Sequence, residues 1–311
     1  MPDDAVLTVP QELLILGAAV STGMIETLKD RPMTAAELAA TLKADERAVW
    51  VVTEALTALG YLFKDGELLT LSEEARGMMF NPDAPNFSGF AFMHRYNLVK
   101  SWAHLPDIIR SGKPYPRERG PENTAYFMAA MRHAAKQGTQ PVAEFLLAGA
   151  EKGVRVLDIG GGPLSYAGAF AAQGAHVTVL DLPEVVEMKK VEAEAAGIEM
   201  VPGDFNLGLP SGPFNLVYLG NVCHIFGERE NRELFRKVAG VLVPGGCIAV
   251  ADFIRGTRPM AALFGVNMLV NTATGGTWTL DQYTEWLEAA GFQEVKLNEV
   301  GGRHLIMATV R

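Results

Sequence analysis

The sequence predicts an α/β protein in which a doubly wound, seven-stranded sheet with an antiparallel last strand follows a smaller, mainly helical winged-helix domain. Residues 151–311 alternate short apolar runs with helical patterns, which is typical of a parallel sheet covered by helices. The last two apolar runs are separated only by residues 299–302, a link too short for a parallel crossover. Residues 33–72 follow the order helix, helix, hairpin. We therefore divide the chain into a winged-helix domain over 1–87, a helical connector over 88–150 and a sheet domain over 151–311.

The composition is that of a globular protein, and it makes the chain a poor candidate for binding polyanions. The 311 residues are 49% hydrophobic and 20% charged, and their net charge is −9. This charge is unfavourable for binding nucleic acid or an anionic membrane surface. Two cysteines provide no disulfide framework, and the apolar run over 13–20 is too short to span a bilayer. We expect a cytoplasmic protein that binds neither membranes nor nucleic acid.

The first domain has the local signals of a winged helix. One helix is predicted over 11–29, and two shorter helices follow over 34–42 and 45–59. The spacing of residues at the start of the second helix predicts a capping box on Thr34. The pair Asp65-Gly66 marks the turn of the hairpin that follows.

The charge of this winged helix bears on its role, because many winged helices bind DNA. Residues 33–72 carry three basic and six acidic side chains, a net charge of −3. A surface that reads DNA is expected to be basic. We therefore expect the domain to be an interaction module, and most simply a dimerisation domain.

The connector is predicted to consist of helices on either side of a polar loop over 111–123. Methionine and aromatic residues recur along these helices. Such a stripe is most often core packing, but in a helix pair beside a ligand site it also forms the wall of an apolar pocket. We expect Met93, Phe127 and Met131 to line a substrate pocket.

In the sheet domain, strands and helices are predicted in regular alternation. The strands are predicted over 154–159, 176–182, 198–203, 214–220, 246–254, 292–298 and 304–310. The helices between them are predicted over 165–173, 184–196, 229–242 and 280–290. A last strand that runs backward is unusual for nucleotide dehydrogenases and fits the doubly wound fold of methyltransferases that use S-adenosylmethionine (SAM).

The first strand of this domain ends in Asp158 and opens into Gly160, Gly161 and Gly162. Glycines allow a sharp turn and leave no Cβ between the loop and a ligand. A carboxylate before the glycines would repel a pyrophosphate, but it suits an ammonium or sulfonium group, which points to SAM. A dinucleotide fingerprint also requires a third glycine, whereas residues 163–165 are Pro, Leu and Ser.

The next two strands carry further candidate contacts for the same ligand. Asp181 ends the second strand, where a carboxylate accepts hydrogen bonds from ribose hydroxyls. Asp204 and Phe205 follow the third strand, and an acid beside an aromatic ring suits an adenine base. Asp204 alone would more simply be a turn residue.

The segment after the fourth strand, GNVCHIF over 220–226, contains the best candidate for a catalytic base. His224 lies at the carboxyl edge of the sheet, and a histidine titrates near neutral pH. Cys223 is expected to be a packing residue, because no neighbouring charge in the sequence would lower the pKa of its thiol. No spacing of His, Cys, Asp or Glu matches a metal site.

Together these segments resemble the plant-type small-molecule O-methyltransferase family, which has many bacterial members. The resemblance covers nearly the whole chain and includes VLDIGGG, VLDLPEVVE, GDF, NVCHIF, LFRKVAGVLVPGGCIAVADFI and TWTLDQYTEWLEAAGF. It implies the class I SAM-methyltransferase fold and a homodimer formed through the N-terminal domain.

The resemblance also implies the roles of the site residues. The residues expected to hold SAM are Asp158, Gly160, Gly162, Asp181, Leu182, Asp204, Phe205 and Asn221. His224 would take the proton from a substrate hydroxyl, and the methyl group would pass in line from sulfonium to oxygen without a metal. Positioning of both reactants would supply much of the rate.

The chain departs from the family pattern at three places. Pro163-Leu164 replaces a glycine pair that many relatives have, and Ile225 stands where the plant members have Asp. Residues 275–278 contain no acid, although the plant members carry there a Glu that orients the histidine. With these acids missing around His224, a phenol with a lowered pKa would need less help from a base, which makes an acidic or electron-poor aromatic hydroxyl a candidate acceptor.

Residues 259–271 are predicted to form a helix over the site. Phe264 and Met268 would grip a flat ring, although plain core packing explains them equally well. Asn267 would fix the polar edge of that ring, because a buried amide needs hydrogen-bond partners.

The main hypothesis is therefore SAM-dependent O-methylation of a hydroxylated aromatic or polycyclic small molecule. The alternatives are C-, N- or S-methylation on the same scaffold, a SAM-sensing regulator that binds DNA through the winged helix, and an NAD-dependent oxidoreductase. The negative charge of the first domain disfavours the regulator. The missing third glycine and Asp158 disfavour the oxidoreductase.

Overall fold

The computed structural model describes residues 9–116 and 120–311. Residues 1–8 of the expected winged-helix domain and residues 117–119 of the expected polar loop lie outside the described part. No helix in the described part is long and apolar enough to cross a membrane.

The described residues form two compact units. The first contains residues 9–100 and 120–133, and the second contains residues 101–116 and 134–311. The elements of the first hundred residues are, in order, α1 (Gln11–Ser21), α2 (Met24–Asp30), α3 (Ala35–Leu42), α4 (Glu46–Ala58), β1 (Leu62–Asp65), β2 (Leu68–Leu71), α5 (Glu73–Phe80) and the start of α6 (Ala91–Trp102).

The winged helix predicted from the sequence is present. Thr34 caps α3 by a capping box with Glu37, and α4 begins after Asp45, whose side chain accepts a hydrogen bond from the N–H of Ala48. Strands β1 and β2 are antiparallel, and Gly66 in their turn has a φ of +58°. The core elements of this module therefore follow directly from local signals.

The single helix predicted over residues 11–29 is wrong. Helix α1 ends at Ser21 and α2 begins at Met24. Gly23 between them has a φ of +79°, a left-handed conformation that interrupts a helix and that glycine adopts without strain. The apolar pattern continues across this break, so the periodicity alone did not reveal it.

The connector region is helical, as predicted. After α6 come α7 (Leu105–Ser111), α8 (Pro121–Ala135) and α9 (Thr139–Leu146). Within the first unit α6 and α8 are held together by the ring contact of His94 with Phe127 and by a hydrogen bond from Asn97 to Asn123, and Phe90, just before α6, contacts the Tyr126 ring.

The second unit contains the seven-stranded sheet. Its elements are β3 (Arg155–Ile159), α10 (Ser165–Ala172), β4 (His176–Asp181), α11 (Pro183–Ala195), β5 (Glu199–Pro202), β6 (Phe214–Gly220), α12 (Glu228–Val241), β7 (Leu242–Asp252), α13 (Pro259–Asn271), α14 (Leu280–Ala289), β8 (Phe292–Val300) and β9 (Arg303–Val310). The strand order is β5-β4-β3-β6-β7-β9-β8. Only β9 is antiparallel to its neighbours, which confirms the fold predicted from the sequence.

One strand boundary differs clearly from the prediction. Strand β7 begins at Leu242, four residues before the predicted start at position 246. Of the extra residues, Leu242 pairs with Phe214 of β6, and a register shift separates this pair from the next one, Leu216 with Cys247. Such a bulge is set by the neighbouring strand, and therefore the pattern of β7 alone does not predict it.

Apolar side chains cover both faces of the sheet. Leu157, Leu219 and Val250 point toward a core shared with α12 and α14, whereas Val156 and Tyr218 belong to the opposite core under α9, α10 and α11. Burial on both faces explains the nearly continuous apolar runs of these strands.

The ligand-binding edge of this sheet follows from its topology. The parallel strands β3, β4, β6 and β7 end at the same edge, and ligands of open α/β sheets bind outside such carboxyl ends. Strand β9 runs the other way, and Asp252 at the end of β7 pairs with His304. The first residue of β9, Arg303, therefore lies at this edge as well.

Candidate active site and cofactor site

The glycine loop after β3 is a tight turn that excludes side chains. Gly160 has a φ of +72°, and a Cβ there would lie 3.0 Å from Val222 Cγ2. A Cβ on Gly161 would lie 2.4 Å from Asp158 Oδ2. The bare backbone of this loop is therefore a requirement of the fold and leaves a surface that a ligand can approach closely.

Asp158 lies beneath this loop and is only 2% exposed. Burial, and after it the negative charge of Asp181, raises the pKa of Asp158 to about 8. Burial also raises the pKa of Asp181, although the backbone N–H groups of Leu182 and Gly162 act in the opposite direction. Two neighbouring acids of this kind would gain from a cationic ligand, in keeping with the expected sulfonium or ammonium group.

The residues predicted to hold the adenosine part lie at the next two strand ends. Asp204 accepts two hydrogen bonds of 2.8 Å at Oδ1 from the backbone and side chain of Asn206, so this oxygen fixes the turn. The Phe205 ring packs edge to face on Phe226, with 5.3 Å between ring centroids. Leu182, directly after β4, is an apolar residue with 44% of its surface exposed. This exposed surface is consistent with its predicted contact with a ligand.

His224 lies on a short 3-10 turn, Cys223–Ile225, directly after β6. Its Nδ1 is 2.6 Å from Asp252 Oδ1, and its backbone N–H donates to Asp252 Oδ2 at 3.0 Å. Both side chains are buried. Of the two tautomers of a neutral imidazole, a carboxylate at Nδ1 favours the one with the proton on that nitrogen, which has its lone pair on Nε2. This arrangement is suited to removing a proton from a substrate.

Asp252 is one residue of this site that the sequence analysis missed. The family acids expected around His224 are absent at Ile225 and at residues 275–278, but Asp252 supplies a carboxylate from the end of the neighbouring strand. Further hydrogen bonds come from the Tyr283 hydroxyl at 3.2 Å and the Phe253 N–H at 2.7 Å. Its position at the end of an apolar strand, like that of Asp158 and Asp181, was the available signal.

A network of hydrogen bonds fixes the backbone of the His224 turn. The buried Asn231 amide donates from Nδ2 to the carbonyls of Cys223, Phe226 and Gly227 at 2.9–3.1 Å. The Gly276 N–H donates to the His224 carbonyl at 2.9 Å. These contacts hold the backbone of His224 without using its imidazole.

Cys223 is a packing residue, as the sequence predicted. Its side chain is fully buried in the core below the sheet. Burial, followed by the charge of Asp252, raises the pKa of its thiol well above the ordinary value. A thiol in this state is not a nucleophile at neutral pH.

Helix α13 brings Phe264 against the imidazole. The Phe264 ring meets His224 edge to face at 4.8 Å and stacks on Phe253 at 3.9 Å between centroids. Met268, one turn later, is buried. Phe264 is therefore already part of an aromatic pair, and its contact with a flat substrate stays a prediction.

Asn267, on the same helix, is held in one orientation. Its Oδ1 accepts hydrogen bonds from Trp102 Nε1 at 3.2 Å and from Asn271 Nδ2 at 2.9 Å. An indole N–H only donates, so the amide oxygen must face Trp102. Sequence reasoning missed Trp102 because it is 165 residues away from Asn267.

The three remaining predicted substrate residues lie in the first unit. Met93 on α6 is buried, Met131 on α8 is half-buried, and Phe127 on α8 is exposed and contacts His94. Helices α6 and α8 pack together, but a role of these residues in a substrate pocket stays a prediction.

Comparison with known proteins identifies the family. A sequence model of the O-methyltransferase domain matches residues 102–293. The chain belongs to the O-methyltransferase family. It is 29% identical to 3-hydroxy-5-methyl-1-naphthoate 3-O-methyltransferase of Streptomyces sahachiroi, over 90% of this chain and 86% of the relative. It is 27% identical to the tetracenomycin polyketide synthesis 8-O-methyl transferase TcmO of Streptomyces glaucescens, over 92% and 89% of the two chains.

Solved structures of similar fold contain the methyl donor or its product. PigF with S-adenosylhomocysteine (SAH) has a TM-score of 0.78 at 23% identity, over 96% of both chains. Human N-acetylserotonin methyltransferase in complex with SAM has a TM-score of 0.74 at 23% identity, over 96% of this chain and 94% of that one. The protein is a SAM-dependent O-methyltransferase of the class I fold.

The residues at the sheet edge of this O-methyltransferase fit SAM. The loop at Gly160–Gly162 has no room for a Cβ on its central glycine. Asp181 lies at the strand end where ribose hydroxyls are expected. Leu182 offers an exposed apolar surface. When bound, SAM supplies an electrophilic methyl group on a sulfonium. The individual contacts predicted for Asp158, Asp204, Phe205 and Asn221 stay predictions.

Proposed function

We propose that this enzyme methylates the hydroxyl of an aromatic small molecule and that His224 is the general base. The observation that supports this proposal is the buried contact of 2.6 Å between His224 Nδ1 and Asp252 Oδ1. The hydroxyl proton passes to Nε2 while the hydroxyl oxygen forms a bond to the methyl carbon and the carbon–sulfur bond breaks. The carboxylate of Asp252 stabilises the imidazolium that results. The step needs no metal, since His224 takes the proton.

The aromatic nature of the acceptor is supported by the side chains around the base. Phe264 and Phe253 stack beside His224, and flat rings pack well on such surfaces. Two relatives point the same way, because one is named for a hydroxynaphthoate and the other for tetracenomycin polyketide synthesis. We propose a hydroxylated aromatic or polycyclic acceptor.

Asn267 narrows this substrate class. Its oxygen is occupied by Trp102 and Asn271, and its amino group donates to no described residue. The amide therefore offers a donor to the substrate. We propose that the acceptor carries an oxygen that accepts a hydrogen bond, such as a carbonyl or carboxylate oxygen, close to the hydroxyl that is methylated.

The experiment is methyl transfer from isotopically labelled SAM to matched pairs of phenols and polycyclic hydroxyarenes, with and without a neighbouring carbonyl or carboxylate. The proposal predicts an O-methylated product, identified by mass and NMR, and preference for the acceptors with the extra oxygen. Asn267→Leu is expected to reduce that preference. A product methylated on carbon, nitrogen or sulfur would contradict the proposal.

We also propose a homodimer formed through the winged-helix domain, with residues 1–87 as the dimerisation part, 88–150 as the connector and 151–311 as the catalytic part. Support comes from a groove of about 780 Å³ between α1 and the end of α4, lined mainly by apolar residues. Val9 and Leu59 in this α1–α4 groove, and Val51 on the same face of α4, are exposed. Together with the acidic charge of this domain, these side chains favour a protein partner over DNA.

A further inference from the structure

Arg303 lies at the cofactor edge of the sheet although it belongs to the antiparallel strand. It is the first residue of β9, next to the pair formed by His304 and Asp252. Its Nη2 donates to Asn221 Oδ1 at 2.6 Å. Asn221 directly follows β6 and has a φ of +61°. The guanidinium therefore reaches from β9 across the end of β7 to the end of β6.

Gly138, just before α9, lies close both to the Arg303 side chain and to the hydroxyl of Tyr166 on α10. A Cβ on Gly138 would lie 3.1 Å from Arg303 Cγ and 3.5 Å from the Tyr166 hydroxyl. Tyr166 in turn packs on Tyr218 with 4.8 Å between ring centroids. The hydroxyl oxygens of both tyrosines are buried and make no hydrogen bond of normal length within residues 9–116 and 120–311. At least one phenol hydroxyl is thus free to donate to a ligand beside the guanidinium, since a contact between the two hydroxyls would use only one of their protons.

The positive charge of Arg303 has no carboxylate partner among residues 9–116 and 120–311. Within these described residues, the guanidinium of Arg303 forms no ion pair, and the Asn221 oxygen is its only hydrogen-bond acceptor. A half-buried guanidinium is a planar fork that fits a carboxylate. Its remaining donors, together with the tyrosine hydroxyls, define a site for an anionic group.

The order of the strands indicates that one end of SAM, which carries a carboxylate, lies beside Arg303. The ribose site at Asp181 lies at the end of β4, and the glycine loop follows β3, which separates β4 from β6. A molecule that starts at Asp181 and crosses the glycine loop reaches the end of β6 with its other end. In SAM that other end is the methionyl group, which carries a carboxylate.

We propose that Arg303, oriented by Asn221 and flanked by Tyr166 and Tyr218, binds the methionyl carboxylate of SAM. This inference rests on SAM as the cofactor and is independent of the acceptor. Asn221, predicted as a cofactor residue, acts here by holding the guanidinium. The sequence analysis did not find Arg303, because the antiparallel β9 was not expected to contribute to the cofactor edge.

The test compares two ligands that differ in the amino acid part. Calorimetry would give the dissociation constants of SAH and of methylthioadenosine, which has the adenosine and sulfur but no carboxylate. For Arg303→Met we expect SAH to bind about 10- to 100-fold more weakly and methylthioadenosine to change less than about twofold. Arg303→Lys should lose less, since a point charge replaces the fork. Asn221→Asp should also weaken SAH selectively, because a protein carboxylate would then compete for Arg303.

Arg258→Met is the matched control, since Arg258 is an exposed arginine that contacts Glu299 and the Gly302 carbonyl close to the start of β9. Neither ligand should respond to it. Equal weakening of both ligands in Arg303→Met, or unchanged SAH binding, would overturn the inference. Failure of the unchanged protein to bind either ligand would instead overturn the cofactor assignment, and the inference with it, so the two failures are distinguishable.

Discussion

At the scale of single residues, the carboxylate of Asp252 determines what His224 can do. It receives hydrogen bonds from the imidazole and backbone of His224, from the Phe253 N–H and from the Tyr283 hydroxyl. A buried charge with four donors is held in one position. The imidazole bonded to it is therefore fixed in both tautomer and orientation, which an exposed histidine would not be.

Asp158 gives a prediction for stability. Its pKa of about 8 in the folded protein lies above the ordinary value of 3.8. Between these pH values the folded protein holds a proton that the unfolded chain releases, so the free energy of unfolding falls as the pH rises, by up to about 1.4 kcal/mol per pH unit. Asp158→Asn keeps the shape without the titration. Its stability without SAM, measured by urea unfolding from pH 5 to 8, should decline less steeply than that of the unchanged protein. Parallel curves for the two proteins would contradict this reading.

At the scale of elements, the segment after α13 packs closely against the turn that carries His224. A Cβ on Gly275 would lie 2.4 Å from the His224 carbonyl oxygen and 2.7 Å from that of Ile225. A Cβ on Gly276 would meet only the Trp278 ring, at 3.4 Å. The glycine pair that follows α13 thus sets how closely this segment approaches the His224 turn.

This difference predicts unequal effects of two similar substitutions. Gly275→Ala should displace the His224 turn, lower kcat at least about tenfold and destabilise the fold by about 1–3 kcal/mol. Gly276→Ala, the matched control, should change kcat less than about twofold. SAH affinity should stay unchanged in both variants, as measured by calorimetry. Equal kcat values for the two variants would show that the approach of Gly275 does not position the base.

Local signals were sufficient for most elements and for part of the site. Apolar runs predicted all seven strands of the sheet, and the short link over 299–302 predicted the antiparallel β9. Contacts between distant parts of the chain were not predictable in this way. Asp252 is 28 residues from His224, and Arg303 is 82 residues from Asn221. Such pairs depend on strand order, which the sequence pattern does not specify residue by residue.

At the scale of the whole molecule, the proposed dimer gives a prediction about association. Val51 and Leu59 belong to the face of α4 along the α1–α4 groove, and both are exposed. The double variant Val51→Glu with Leu59→Glu would place two charges in an apolar interface, at a high desolvation cost. Light scattering after size exclusion should find a dimer for the unchanged protein and a monomer for this variant. The control variant Val191→Glu, at an exposed apolar residue on α11 outside the groove, should remain a dimer.

A monomeric unchanged protein would refute the proposed dimer.

The central claim, that His224 supported by Asp252 removes the proton during O-methylation, is tested most directly by the single-turnover rate of methyl transfer. The unchanged enzyme, His224→Ala and Asp252→Asn would be compared on the best acceptor of the panel, with SAH affinity measured in parallel. Loss of a general base predicts a rate at least about 100-fold lower in His224→Ala, a smaller loss in Asp252→Asn and nearly unchanged SAH affinity. A His224→Ala rate within about threefold of the unchanged enzyme would contradict the account.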